Sequence, residues 1–339
     1  MLFEMGRKKD DFEDNISSGT DKEDGGFAMF DWDVVIVGAG PAGLTAGLYL
    51  SRARYRVLLL EKDSFGGQIR NVDRIENYPG FSEGVTGAQL ASQMFEQARA
   101  YGLRFELSEV VDIEIFSDCK WVTCADGKGY TTAVVILAGG SRPKRLGVPG
   151  EDRYQDKGII HCALCDGGQF VDRTVAVCGG GDAGVTEALY MTKLASKVIL
   201  IEAEQTLTAT PVLQERAAAD PKLEIRCGSM VEEIIGNKQG DHVEALSLIE
   251  KSSGRKEILK VDGLLVYVGI EPNTSYLKGV VSLDQQGQVI VNDHGFETET
   301  PFILAAGDIR SGSPRQVVTA VGDGATAAIS AQKLLQTLK

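Results

Sequence analysis

The chain has 339 residues, and its 48 acidic residues outnumber the 35 basic ones, giving a net charge of −13. This charge argues against nucleic acid as a ligand, because phosphate binding needs a surplus of Lys and Arg. The length predicts two domains. Six cysteines are too few for a secreted disulfide scaffold, and the sequence shows neither a signal-peptide pattern nor an apolar run long enough for a membrane helix. We therefore expect a cytoplasmic protein that binds small cofactors and protein partners and no membrane.

Residues 1–30 are charged and contain glycine, without any apolar periodicity. This composition predicts a disordered acidic lead.

Residues 33–61 read as a strand, a glycine turn, a helix, a second strand and an acid. The turn is Gly38-Ala39-Gly40-Pro41-Ala42-Gly43, and the second apolar run ends at Glu61. In this order the glycines bring the backbone close to a pyrophosphate at the helix N-terminus, and the acid accepts hydrogen bonds from ribose hydroxyls. The segment predicts a dinucleotide site.

The next segment alternates between helical and strand patterns. It predicts a helix from Gly87 to about Tyr101, alternating strands over residues 104–130 and a buried strand over residues 133–137.

The run Cys162-Ala163-Leu164-Cys165-Asp166-Gly167 has two thiols separated by two residues. Such thiols close and reopen a disulfide ring, and a helix start or a charged neighbour lowers the pKa of the first. Asp166 is placed to exchange a proton with a thiolate. The alternative is half of a zinc site, but zinc takes four ligands, and the other cysteines form no second pair at this spacing.

The glycine unit then recurs. Residues 175–178 lead into Gly179-Gly180-Gly181-Asp182-Ala183-Gly184, a helical pattern runs through Leu189 and Leu194, and a strand ends at Glu202. The same 141 residues separate Gly38 from Gly179 and Glu61 from Glu202. Two dinucleotide folds therefore lie in one chain.

The last segment contains apolar runs over residues 263–268 and 301–306, and the second of these ends in Gly307-Asp308. Asp308 either presents its carboxylate to a ligand hydroxyl or is an ordinary turn residue. A helix is predicted from about Val317 to Leu338.

From about Asp33 to the C-terminal helix, the chain resembles the low-molecular-weight thioredoxin reductases. The most specific feature is the Cys162–Gly167 motif directly before the second dinucleotide fold. Enzymes of the glutathione reductase type carry their redox pair after the first fold, where residues 62–80 here contain no cysteine.

The resemblance implies an α/β protein of two Rossmann-like three-layer dinucleotide-binding domains, the second inserted into the first. The FAD-binding domain would comprise residues 31–143 and 272–339. Residues 144–271 would form a central NAD(P)-binding-like domain that carries the disulfide and swings relative to the FAD domain. Family members are usually homodimers.

The resemblance also implies where FAD binds. The expected contacts are Gly38, Gly40, Pro41, Ala42, Gly43, Glu61, Lys62, Gly66, Gly67, Gln68, Asn77, Ala138, Gly139, Gly307, Asp308, Arg315, Gln316 and Val317. Cys165 would face the flavin, Cys162 would attack the disulfide of a partner, and Asp166 would act as general acid.

The chain departs from the family after the strand that ends at residue 201. NADPH-dependent members have the motif H-R-R-x-x-x-R there, whereas residues 202–208 read E-A-E-Q-T-L-T, without a cation. Carboxylates repel the 2′-phosphate of NADPH, and an acid at the strand end prefers a free 2′-hydroxyl. NADPH is therefore disfavoured. The residues expected to bind NADH are Gly179, Gly181, Asp182, Ala183, Gly184 and Glu202.

We therefore expect a flavoenzyme that passes electrons from NADH through FAD to Cys162–Cys165 and on to a disulfide of thioredoxin or a thioredoxin-like protein. Three alternatives stay open. The donor is ferredoxin or another carrier and the nicotinamide site is vestigial, or the protein is a dithiol oxidase, or it is a non-catalytic redox sensor. Asp166 argues against a sensor, because turnover needs a proton donor and sensing does not.

Overall fold

The computed structural model describes residues 30–338. The predicted disordered lead therefore lies outside the described residues, except for its last residue. That residue, Phe30, is buried and packs in the core of the first domain.

The described chain alternates strands and helices. The strands are β1 (Trp32–Val37), β2 (Val57–Glu61), β3 (Arg104–Leu107), β4 (Val110–Ile115), β5 (Lys120–Cys124), β6 (Gly129–Leu137), β7 (Ser141–Pro143), β8 (Ile159–Ile160), β9 (Thr174–Cys178), β10 (Lys197–Glu202), β11 (Leu223–Cys227), β12 (Ser229–Gly236), β13 (Val243–Glu250), β14 (Lys256–Lys260), β15 (Gly263–Val266), β16 (Ile270–Pro272) and β17 (Ile303–Ala305). The helices are α1 (Pro41–Arg52), α2 (Gly87–Ala100), α3 (Glu151–Tyr154), α4 (Ala163–Asp166), α5 (Asp182–Met191), α6 (Pro211–Ala219) and α7 (Val317–Thr337).

The first sheet has a parallel part and an antiparallel part. Strands β3, β2, β1, β6 and β17 are parallel neighbours in that order, and β5 and β4 continue antiparallel from the first half of β6. In the centre, Val35 lies between Leu58 and Val135. Strand β1 is buried on both faces, which explains why its sequence is a continuous apolar run rather than an alternating one.

Alternate residues of β1 face different layers. Val34 and Ile36 pack with the helices, including Leu44 of α1, whereas Val35 and Val37 pack with the antiparallel strands, including Ile113. Because side chains alternate along a strand, one apolar run serves two cores. The first domain therefore has three layers: helices, parallel sheet and antiparallel sheet.

The second domain repeats this plan. Strands β11, β10, β9, β15 and β8 form a parallel sheet, and β12, β13 and β14 form a separate antiparallel one. Val177 packs against the helix side with Val185, while Ala176 faces Leu246 of the antiparallel sheet. The predicted pair of three-layer dinucleotide folds is confirmed.

Most predicted elements occur within one or two residues of their expected ends, but the helix that follows the second glycine turn is shorter than predicted. Helix α5 ends at Met191, so Leu194 lies in the following turn. The Lys222 ammonium donates to the carbonyls of Thr192 and Ala195 at 2.9 and 3.0 Å. The Lys222 side chain thus binds two carbonyl groups that, in a longer helix, would have accepted hydrogen bonds from backbone N–H groups of the same helix.

The chain passes from the first domain to the second and back through a two-stranded ladder. Strands β7 and β16 pair antiparallel, with Ile270 opposite Pro143. Two ion pairs also join the domains, Lys193 with Asp73 at 3.0 Å and Arg216 with Glu76 at 2.7 Å.

A buried ion pair fixes the turn after β17. The Asp323 carboxylate of α7 accepts from Arg310 at 2.6 and 2.9 Å and from the Gly307 N–H at 3.0 Å. Both side chains are nearly inaccessible, at 12% exposure for Arg310 and 7% for Asp323. The pair holds the Gly307–Ile309 turn against the helix.

We expect Asp323→Ala to lower the free energy of unfolding by about 3–5 kcal/mol, because it leaves the Arg310 guanidinium buried without its partner. Urea unfolding followed by circular dichroism measures this loss. The matched control is Lys256→Gln, which removes the exposed ion pair with Glu232 and should cost no more than about 1 kcal/mol. Equal losses in the two variants would contradict the role given to Asp323.

Candidate active site

The first glycine turn folds the backbone tightly onto itself. Gly38 has a φ of 107°, and a Cβ added to Gly43 would lie 1.9 Å from the Gly38 carbonyl oxygen. A Cβ on Gly40 would instead meet nothing within 4 Å. The start of α1, with Pro41 in its first turn, therefore faces open space where an anion can approach the helix N-terminus.

Glu61, the last residue of β2, is hydrogen-bonded to this turn. One carboxylate oxygen accepts from the Ala39 N–H at 2.8 Å, and the other accepts from the Lys62 N–H at 2.9 Å. The Lys62 side chain is exposed. The acid is thus fixed beside the glycine turn, at the position where such folds bind a ribose.

Two polar pairs join residues expected to contact the flavin with distant parts of the chain. The Gln68 amide donates to the carbonyl and to the hydroxyl of Ser141, both at 2.9 Å. Asn77 donates to the side chain of Gln316 at 3.0 Å, at the start of α7 before Val317.

Backbone contacts then bring the segment around Gly66 to the first glycine turn. The Gly66 N–H donates to the Ala39 carbonyl at 2.7 Å. A Cβ on Gly67 would lie 3.2 Å from the Cα of Gly40. Residues far apart in sequence thus line one region along the edge of the first sheet.

The segment that follows β6 carries Ala138 and Gly139. Asn273 donates to the Gly139 carbonyl at 2.8 Å. The Tyr276 hydroxyl is buried, has no hydrogen-bond partner among residues 30–338, and lies 3.7 Å from where a Cβ on Gly139 would be. Burial also raises the pKa of Tyr276, so its hydroxyl stays protonated and able to donate.

Asp308 is half-buried in the turn held by Asp323. Burial raises the pKa of its carboxyl, and the Ser313 hydroxyl donates to it at 3.2 Å. Arg315 adopts a φ of 59° and donates its N–H to the Ser313 hydroxyl at 3.2 Å. This turn brings an acceptor and a cation to the same region as Gly307.

These residues fit FAD. The open helix start at Gly40 suits a pyrophosphate, Glu61 suits the adenosine ribose, and the unpartnered Tyr276 hydroxyl and half-buried Asp308 offer polar groups to the rest of the cofactor. When bound, FAD supplies a two-electron carrier able to reduce a disulfide.

The second glycine turn repeats the first. Gly179 has a φ of 116°, and a Cβ on Gly184 would lie 2.0 Å from the Gly179 carbonyl oxygen. Glu202 accepts from the Gly180 N–H at 2.5 Å, as Glu61 accepts from Ala39. Gly181 precedes α5, where Ala183 is exposed. The two turns therefore share backbone geometry and the placement of the acid.

Further polar groups surround this turn. Asp182 accepts from the Thr210 N–H at 2.6 Å, and the N–H groups of Thr208 and Ala209 donate to the Gly180 carbonyl. Beyond Glu202, the Lys251 ammonium lies 3.1 Å from the Glu204 carboxylate. The Lys251 ammonium is thus already paired with an acid.

The predicted disulfide is formed. Cys162 and Cys165 are joined by an S–S bond, with their Cα atoms 5.3 Å apart. Cys162 is the N-cap of α4, and its sulfur accepts from the Cys165 N–H at 3.0 Å. Cys162 is buried, whereas Cys165 and Asp166 are exposed.

Two residues that hold the disulfide segment were not predicted from the sequence. The Glu187 carboxylate accepts from the Ala163 N–H at 2.9 Å, and Tyr267 donates to the His161 carbonyl at 2.7 Å. The 141-residue offset places Ala46 opposite Glu187, which singles out Glu187 but not its contacts. The structure places Ala138 opposite Tyr267, since each lies against the first glycine of its turn.

Two dinucleotide-binding folds, with a redox disulfide directly before the second, define a class: the FAD-dependent disulfide oxidoreductases. Residues 32–324 match the model of the pyridine nucleotide-disulphide oxidoreductase family. The chain belongs to this family, and its relatives place it among enzymes of the thioredoxin reductase type.

Three relatives illustrate the similarity. The thioredoxin reductase of Listeria innocua is 39% identical over 308 residues, which span 91% of this chain and 95% of the relative. The thioredoxin reductase of Lactococcus lactis in its FR conformation is 35% identical, with a TM-score of 0.87 over 90% of this chain and 99% of its own. The thioredoxin reductase of Streptococcus pyogenes is 38% identical, with a TM-score of 0.59 over 90% and 98% of the two chains.

No helix within residues 30–338 is both long and apolar enough to cross a membrane.

The two glycine turns offer a matched pair of variants. We expect Gly43→Ala to yield protein without bound flavin, because the new methyl group would overlap the Gly38 carbonyl. Gly184→Ala should keep its flavin and lose only binding of the nicotinamide nucleotide. Flavin absorbance of the purified proteins and nucleotide titration measure the two effects. Flavin loss in the second variant alone would reverse the assignment of the two folds.

Proposed function

We propose that the protein is a thioredoxin-disulfide reductase that takes electrons from NADH rather than NADPH, with FAD as the carrier to Cys162–Cys165. The observation that carries this proposal is the disulfide directly before the second dinucleotide fold. The final acceptor is a disulfide of thioredoxin or a thioredoxin-like protein, as the names of the relatives indicate for those enzymes. The homodimeric state and the cytoplasmic location stay predictions.

The two cysteines take different roles. The Cys162 thiolate attacks the disulfide of the partner and forms a mixed disulfide, releasing one partner thiolate. This thiolate takes up the proton of the Cys165 thiol by way of Asp166, which leaves Cys165 as a thiolate. The Cys165 thiolate then attacks the Cys162 sulfur, which regenerates the Cys162–Cys165 bond and releases the second partner thiolate. The exposed Cys165 suits contact with the flavin, and the buried Cys162 has to become accessible before it reacts with a protein.

The dithiol has to reach the flavin and a protein disulfide in turn, and a movement of the two domains relative to each other would allow both. We propose domain boundaries at residues 143/144 and 271/272, with the β7–β16 ladder as the hinge. The comparisons support such a movement, because the S. pyogenes enzyme is as similar in sequence as the L. lactis enzyme but overlays far less well. Two domains of conserved fold in a different relative arrangement explain this combination.

The preference for NADH rests on charge. Glu202 is held beside the second glycine turn, where an acid accepts from a ribose 2′-hydroxyl and repels a 2′-phosphate. Glu204 adds a second carboxylate and pairs with the Lys251 ammonium. A 2′-phosphate at Glu202 would therefore meet two acids, beside a Lys251 ammonium that is already paired.

The donor is identified by anaerobic titration of the oxidised protein. We expect NADH to bleach the flavin absorbance at far lower concentration than NADPH. Reduced ferredoxin, titrated in parallel, is the competing donor. If ferredoxin reduces the flavin and NADH leaves it oxidised, the donor proposed here is wrong and the second fold is vestigial.

Charge reversal tests the same edge. Glu202→Arg combined with Ala203→Arg should shift the ratio of kcat/KM for NADPH over NADH upward by at least about tenfold, the effect of roughly 1.4 kcal/mol. Glu215→Arg, an exposed change on α6, is the control for overall charge. An unchanged ratio in the double variant would show that the nicotinamide nucleotide does not bind at Glu202.

Single cysteine variants test the division of roles. Cys162→Ser should still allow flavin reduction by the donor but abolish turnover of thioredoxin or a model disulfide, since the attacking sulfur is gone. Assays with dithionitrobenzoate and thioredoxin measure turnover. Normal turnover by Cys162→Ser would remove this pair from the mechanism, and flavin reduction without repeated turnover in the wild type would indicate a redox sensor. Oxygen-dependent disulfide formation would indicate a dithiol oxidase.

A further inference from the structure

Two cations of the second domain bind one short segment of the first domain, the segment before α2. The Lys193 ammonium lies 3.0 Å from the Asp73 carboxylate, and the Arg216 guanidinium lies 2.7 Å from the Glu76 carboxylate. Lys193 follows the end of α5, whereas Arg216 lies in the last turn of α6. The two ion pairs therefore join separate elements of the second domain to positions only three residues apart in the first.

The segment that carries the two acids also borders the expected flavin site. Asn77 follows Glu76 directly, and its side chain donates to Gln316 at the start of α7 at 3.0 Å. The chain itself crosses between the domains elsewhere, at the β7–β16 ladder. A hinge alone leaves the orientation of two domains free, and a second contact outside the hinge restricts it. The two ion pairs are such a contact.

Both ion pairs are accessible to solvent. The side chains of Lys193 and Asp73 are 62% and 36% exposed, and those of Arg216 and Glu76 are 49% and 45% exposed. Ion pairs with this exposure stabilise a structure only weakly, and salt screens them. They are therefore suited to shift the population between two domain arrangements of similar free energy, and they are too weak to fix one arrangement permanently.

Two of the four charged groups have a further partner within their own domain. The Nε atom of Arg74 lies 3.5 Å from the Glu76 carboxylate, and the Lys193 ammonium lies 4.9 Å from the centre of the Tyr190 ring. Neither contact crosses between the domains, so both can persist when the domains separate. Opening the interdomain pairs therefore leaves Glu76 and Lys193 with a partner, which favours a contact that opens and re-forms.

We propose that Lys193 and Arg216 are positioning residues of the reductase, which bind Asp73 and Glu76 in one domain arrangement and release them each time the domains rotate. Because both pairs form in the same arrangement, each favours formation of the other without touching it. Loss of one pair therefore lowers the occupancy of the second. This inference rests on the domain movement that is part of the proposed function.

Carbodiimide cross-linking of the intact, oxidised flavoprotein tests this contact. The reagent condenses the Asp73 carboxylate with the Lys193 amine to an amide and takes up the water that is lost. Mass spectrometry of the peptides gives the yield of this link. The reference is the link between Lys197 and Glu224, which lie 2.5 Å apart within the second domain. The ratio of the two yields measures how often the domains are in contact.

We expect Arg216→Glu to lower this ratio about threefold, although Arg216 is not part of the linked pair, because a carboxylate facing Glu76 disfavours the arrangement in which both pairs form. Arg216→Lys keeps the charge and should retain the ratio of the wild type. Lys260→Glu makes the same change of charge at an exposed position of β14 in the second domain. It should also retain the wild-type ratio.

An unchanged ratio in Arg216→Glu would overturn the inference, and so would a wild type in which only the reference link forms. If Arg216→Glu does not fold, the wild type in high salt decides. Screening should lower the ratio by at least about threefold, and a ratio independent of salt would overturn the inference. Thioredoxin turnover by the unmodified wild type is measured separately, and its absence would contradict the proposed function instead.

Discussion

The close contact between the last glycine and the first glycine of each turn is the constraint on which the whole chain depends. At Gly43 and at Gly184 there is no room for a side chain against the preceding carbonyl, and each following helix starts where this contact directs it. The acids at Glu61 and Glu202 then bond to the same backbone position of their turns. The same backbone conformation thus occurs twice, and the two sites differ in the side chains around it.

Features that depend on neighbouring residues were predictable from the sequence. The glycine turns, the flanking strands and the disulfide are local patterns, and the 141-residue offset extended the prediction from one fold to two. The Arg310–Asp323 pair and the contact of Glu187 with Ala163 were not predictable. Each contact joins two segments that meet only because of the way the helices pack on the sheet. From the sequence alone, a charged residue in a helix suggests an exposed side chain.

The accessibility of the cysteines also needed the structure. The spacing of the two cysteines predicts a disulfide that can form and be reduced. It does not indicate which of the two sulfurs is buried. In the folded chain Cys162 is buried and Cys165 is exposed. Cys162 is the N-cap of α4, and the N–H of the next residue is bonded to Glu187 of α5, whereas Cys165 and Asp166 at the end of this short helix are exposed.

The β7–β16 ladder has a consequence for how such a chain is assembled. Because Pro143 and Ile270 are partners across two strands, the ends of the second domain lie about 5 Å apart, the normal spacing of paired strands. A gap of this size is closed by one or two residues. The second domain is therefore an insertion between two neighbouring points of the first domain. A version of the chain that lacks the second domain, or carries another in its place, needs no linker longer than a tight turn.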